Sequence, residues 1–66
     1  MSAYWIDKLL VDTRDVLVGC QDERANTKGK NQRAFSELDS AVIDLTNAVR
    51  HLDTAKAAVN GDEIIE

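Results

Sequence analysis

The stretch Arg33-Ala-Phe-Ser-Glu-Leu-Asp-Ser-Ala-Val-Ile-Asp-Leu-Thr-Asn-Ala-Val-Arg-His-Leu-Asp-Thr-Ala-Lys-Ala-Ala-Val59 decides the fold. Phe35, Leu38, Val42, Leu45, Val49, Leu52, Lys56 and Val59 follow one another at alternating steps of three and four residues. That spacing is a heptad seam, with Phe35, Val42, Val49 and Lys56 at a and Leu38, Leu45, Leu52 and Val59 at d. The position before each a is alanine: Ala34, Ala41, Ala48 and Ala55. Small side chains there let a second helix approach toward the short end of the usual ~8–10 Å. The spacing predicts a helix over 32–60, with Phe35, Leu38, Val42, Leu45, Val49 and Leu52 as its core or dimer seam. Val at a and Leu at d also suit a parallel zipper through this helix alone, which Phe35 and Lys56 at a weaken.

Upstream, Arg24-Ala-Asn-Thr-Lys-Gly-Lys-Asn31 has no apolar periodicity and contains Asn26, Gly29 and Asn31, so it reads as a reversing loop over 24–31. Asn31 is the expected N-cap of the long helix, and Asn60-Gly61 its expected stop. An acidic tail over 61–66, carrying Ile64 and Ile65, follows. Residues 3–23 have no proline and one glycine, and Ser2 is the expected cap of a first helix there. Ile6, Leu9, Thr13, Val16 and Cys20 repeat the three-four spacing, with Leu10 and Leu17 widening the stripe, and this face is expected to pack on the long helix. Tyr4, Val11 and Val18 recur every seven residues on the far side, flanked by Trp5. A surface helix would be polar there, so that face is expected to meet a second copy or another protein. Two helices joined by a short loop make an antiparallel hairpin. The expected fold is all-α, one domain over 1–66, with two hairpins pairing into a four-helix bundle.

Chains of 66 residues bury a modest share of their surface, and those that fold usually draw on disulfides, a metal or oligomerisation. Lone Cys20 and lone His51 leave oligomerisation, and a homodimer is expected. Asp7, Lys8, Asp12, Arg14 and Asp15 interrupt every apolar run near the N-terminus, so neither a leader nor a membrane span is expected and a cytoplasmic setting is. The net charge of -4 argues against general nucleic-acid affinity. Within it, Arg24, Lys28, Lys30 and Arg33 form a basic segment between two acidic ones. Glu37, Asp39, Asp44 and Asp53 are expected to face away from the seam as solubilising charge, or as mimics of phosphate toward a basic groove.

Catalysis needs an acid, base or nucleophile in a sheltered cleft, and no constellation here has that form. Asp44, Asn47 and His51 occupy successive turns of one face, which reads as solvated polar surface. Cys20 ends an apolar stripe and reads as a small hydrophobe. Lys28-Gly29-Lys30 lacks the second glycine and hydroxyl of a phosphate loop. Neither an enzyme nor a cofactor or metal site is expected.

The alanine column beside a Leu/Val seam, in a chain of this length, resembles the architecture of the plasmid repressor-of-primer family, RNA-binding helical hairpins that dimerise into four-helix bundles. That resemblance implies the same assembly and, as a function, RNA or DNA binding. The first helix departs from it, because Lys8 and Arg14 are outnumbered by Asp7, Asp12 and Asp15. In format, the Tyr4-Trp5 start, the net acidity and the Arg33-Ala-Phe-x-x-Leu38-x-x-Ala41 opening resemble small helical proteins with which phages inhibit host factors, of the anti-CRISPR and anti-quorum-sensing kind. This resemblance implies a stoichiometric inhibitor that occludes a host protein. The surface expected to carry it combines Tyr4, Trp5, Val11 and Val18 with Arg24, Lys28, Lys30 and Arg33. A structural subunit of a larger assembly is the remaining alternative.

Overall fold

In the computed structural model, which describes residues 3–61, two helices lie side by side: α1, Ala3–Thr27, and α2, Gln32–Val59. The long helix forms where the heptads predict it. The Asn31 side-chain oxygen accepts the Ala34 backbone N–H at 3.0 Å, with Asn31 extended (φ -144, ψ 97), so one of the donors left over by the first turn is satisfied. At the other end Asn60 N–H donates to Lys56 O, and Gly61, at φ 111, adopts the left-handed region that halts a helix. The expected cap Ser2 and the residues of the acidic tail beyond Gly61 lie outside the described residues.

The first helix runs to Thr27, four residues past its expected end at 23, and the loop contracts from 24–31 to 28–31. Two interactions continue the helix. Arg24 points inward and finds Asp39 of α2 at 2.7 Å, and the Thr27 hydroxyl donates to the Arg24 carbonyl at 3.0 Å. The chain then reverses over Lys28-Gly29-Lys30, with Thr27 O accepting from both Lys30 and Asn31 N–H at 3.0 Å. Gly29 sits at φ 77, a conformation that costs a side chain with a Cβ about 1 kcal/mol or more.

Cross-helix ion pairs set the antiparallel register: Asp7 with Lys56 at 2.6 Å, Arg14 with Asp53 at 3.4 Å, and Arg24 with Asp39. Low numbers meet high ones, as a hairpin requires. The particle measures 51 × 20 × 13 Å, a flat two-helix slab.

Along α2 the seam is the expected one. Val42 is 7% exposed, and Phe35, Leu38, Leu45, Val49 and Leu52 are half-buried against α1. The alanines Ala34, Ala41 and Ala48 are half-buried beside them. The seam gives out at the open end, where Val59 at d is 41% exposed and Ala55 is exposed. Lys56 at a, an anomaly for an apolar seam, is neutralised there by Asp7.

Along α1 the expected stripe keeps Ile6, Thr13 and Cys20, with Leu10 and Leu17 facing inward beside them, but loses Leu9 and Val16. Ile6 and Leu10 are 2% and 3% exposed, and the inward face continues through Thr13, Leu17, Cys20, Arg24 and Thr27. Leu9 and Val16, expected in the seam, are 46% and 55% exposed. Steps of four then three from Ile6 keep Leu10 and Leu17 inside; steps of three then four would have put Leu9, Val16 and Glu23 there instead. The helix is turned so that Asp7 and Arg14 meet Lys56 and Asp53. Thr13, central in the seam, keeps its hydroxyl satisfied by donating to Leu9 O at 2.6 Å. No buried side-chain nitrogen or oxygen among the described residues lacks a hydrogen-bond partner.

Candidate protein-interaction surface

With Leu10, Leu17 and Arg24 at a of α1 and Ile6, Thr13 and Cys20 at d, the heptad positions flanking the seam become two edges of different character. Asp7 and Arg14 of α1 stand at e, as do Asp39 and Asp53 of α2. This edge carries the ion pairs named above. Two acidic residues expected as solubilising charge facing away from the seam, Asp39 and Asp53, therefore flank the seam and tie the helices together. Each side chain in these pairs keeps 32% or more of its surface in water, and exposed pairs of this kind contribute about 0.2–1 kcal/mol apiece. Their larger effect is on register, because a slip of one heptad would set Asp7 and Arg14 against the wrong partners.

At the opposite edge, position g holds Leu9 and Val16 on α1 and Ala34, Ala41, Ala48 and Ala55 on α2. The charge at this edge among the g positions is Glu23, near the loop. The register set by Asp7–Lys56 and Arg24–Asp39 brings Leu9 level with Ala55 and Val16 level with Ala48.

Helical geometry divides the expected aromatic face between these edges. Tyr4, Val11 and Val18, which are 65%, 56% and 54% exposed, stand at b, outside the ion-pair edge. Ile43 of α2, also at b and 55% exposed, rims the same side. Trp5, 57% exposed, is one residue and 100° of helix away from Tyr4, at c, beside Leu9 and Val16. The Tyr4 and Trp5 rings still meet edge to face, with centroids 5.3 Å apart and planes at 77°. A shallow groove of about 310 Å³ runs along α1 between Tyr4, Asp7, Lys8, Val11 and Asp12. One helix forms it alone, with Lys8 and Asp12 paired at 3.5 Å along its rim.

The basic residues do not join this surface. Lys28, Lys30 and Arg33 are exposed at the loop end, and Tyr4 and Trp5 lie at the open end, separated by nearly the full length of α1, ~36 Å at 1.5 Å per residue. Arg24 is turned away from the loop surface toward Asp39. The face is thus apolar at one end and cationic at the other, and no compact ligand spans both.

Leu9, Val16 and Ile43 are exposed apolar residues that the sequence reading had not assigned to an interaction surface. The signal for the first two lies across the hairpin and not within α1: stripes through Leu9 and Val16 and through Leu10 and Leu17 both run into a charge, Glu23 or Arg24, but the second leaves Asp7 and Arg14 opposite charges of the other sign on α2.

Among the described residues, no three His, Cys, Asp or Glu side chains converge as metal ligands would. Cys20 is half-buried in the seam as a free thiol, and His51 is exposed on α2. Among the described residues no helix is long and apolar enough to cross a membrane. Compared with known protein families, with curated proteins and with solved structures, the chain gives no significant match.

Proposed function

We propose that this chain is a non-enzymatic protein-interaction module: a helical hairpin that pairs into a four-helix bundle and acts by occluding the surface of a protein target. What carries the reading is an imbalance of apolar surface. Among the described residues, the hydrophobic side chains that are buried are Ile6, Leu10 and Val42, whereas Tyr4, Trp5, Leu9, Val11, Val16, Val18, Ile43 and Val59 are 41% to 65% exposed. Single exposed apolar residues are ordinary, but two flanks of one helix apolar along its length are the mark of a covered or docking surface. Tyrosine and tryptophan are among the residues that most often anchor such contacts.

The narrower form of the proposal is a stoichiometric inhibitor of a host protein, encoded by a phage or other mobile element and working in the cytoplasm. Supporting it are the net charge of -4 and the shape of the apolar surface, the flanks of a helix with a shallow groove open to solvent. The free thiol of Cys20 suits a reducing compartment.

The test is capture from host extract with the wild-type chain and with a Tyr4→Ser/Val11→Glu variant, followed by titration of the captured protein in purified form. A 1:1 complex with the wild type, weakened tenfold or more in the variant, supports the proposal. Equal capture by both chains overturns it. Saturable binding of RNA or DNA that falls steeply with salt, lost on neutralising Lys28, Lys30 and Arg33, would replace it with the nucleic-acid reading.

A further inference from the structure

We infer that the second copy of the chain covers the edge made by Leu9 and Val16 of α1 and the alanines of α2, leaving the side of Tyr4, Val11 and Val18 free for the target. This deepens the dimer proposed above and rests on it.

The two sides of the slab are not equivalent as sites for another copy. Covering the ion-pair edge would take Asp7–Lys56, Arg14–Asp53 and Arg24–Asp39 out of water, and withdrawing charges from water costs several kcal/mol per ion before any attraction is regained. Covering the other edge desolvates Leu9, Val16, Ala41, Ala48 and Ala55, and its one charge among the g positions, Glu23, lies near the loop end. The area is sufficient. The slab face, bounded by 51 × 20 Å, has room for a contact of the ~800 Å² per partner that a standard stable interface buries.

The surface also fits itself. A two-fold axis parallel to the helices sets α1 of one copy against α2 of the other, antiparallel, so all neighbouring helices in the bundle alternate in direction. Rotation about that axis preserves height. Leu9 then lies level with Ala55 of the second copy and Val16 with its Ala48, large side chains over small ones, which is how helices interdigitate at close range. On the rim, Asp12 comes level with His51 of the second copy and Asn26 with its Glu37, whereas Glu23, level with Ala41 of the second copy, approaches its Glu37 and Asp44 at the loop end. Trp5, at c beside Leu9, closes the open end of the interface. The alternative axis, perpendicular to the helices, would set α1 of each copy against α1 and α2 against α2, with large side chains over large ones and the alanine column over itself.

Sedimentation equilibrium at micromolar concentration tests the assignment. The wild type is expected at twice 7.3 kDa. Leu9→Glu/Val16→Glu is expected to halve the mass, or to lose helicity together with assembly, and Tyr4→Glu/Val11→Glu to remain a dimer. A wild-type monomer overturns the dimer itself. A dimer in the Leu9→Glu/Val16→Glu chain leaves the dimer standing and overturns the edge. Cross-linking distinguishes the axis without depending on the fold of a charged variant. In a Cys20→Ser background, Leu9→Cys and Ala55→Cys chains are mixed and oxidised with glutathione disulfide. The expected result is a covalent heterodimer in the mixture at least fivefold above either chain alone. Equal cross-linking of the Leu9→Cys chain with itself overturns the parallel axis.

Discussion

Truncating Leu10 to alanine should remove half or more of the stability of the fold. Leu10 is 3% exposed on the inward face of α1, so its side chain is already withdrawn from water. Three carbons are lost, at ~0.8 kcal/mol for each buried methylene, and the space left behind adds to this, so Leu-to-Ala replacements in cores cost about 2–5 kcal/mol. Here the cost should fall near 2–3 kcal/mol, because a two-layer slab with half-buried neighbours can relax into the gap. Single-core chains of this size hold about 3–5 kcal/mol in total. Val11, the next residue in sequence, is 56% exposed on the outer side, and Val11→Ala should change stability by less than ~0.5 kcal/mol. Urea titration followed by far-ultraviolet circular dichroism, at one fixed concentration for all chains, measures both. A Leu10→Ala loss under ~1 kcal/mol, or equal losses for the two variants, would refute the assignment of the inward face of α1.

Gly19 lies mid-helix with nothing within 4 Å of an added Cβ, so Gly19→Ala should raise stability by about 0.5–1 kcal/mol and shift thermal unfolding upward by several degrees. Asn31→Ala removes the acceptor for the Ala34 N–H and should cost ~1 kcal/mol, read by the same denaturation; no change would discount the cap. A double-mutant cycle on Arg24 and Asp39, 2.7 Å apart and partly exposed, should give a coupling of about 0.5–1 kcal/mol that fades in molar salt. Coupling that persists undiminished in salt would mean the pair is more shielded than its geometry implies.

Much of the exposed apolar surface is legible in the sequence, but not its division. Tyr4, Val11 and Val18 stand out by their seven-residue spacing, and each is exposed. Trp5 is adjacent to Tyr4 in sequence, but 100° of rotation per residue places it on the other flank. The cations at 28, 30 and 33 stand out as a cluster in the linear sequence. A straight helix of 25 residues holds them far from Tyr4, and Arg24 is drawn into the seam by Asp39.

The sequence alone determined α2, its seam, its Asn31 cap and its glycine stop, and with the reversing loop it determined the hairpin. It could do so because α2 has a single apolar stripe against a polar remainder, so one rotation buries the stripe and every other rotation exposes it. α1 is apolar on three sides, and periodicity alone leaves its rotation undecided between a face through Leu9 and Val16 and one through Leu10 and Leu17. The tertiary structure resolved that choice, because pairing Asp7 with Lys56, Arg14 with Asp53 and Arg24 with Asp39 is possible only when Leu10 and Leu17 point inward. Long-range charge pairing of this kind joins residues up to 49 positions apart, and no local pattern in α1 encodes it.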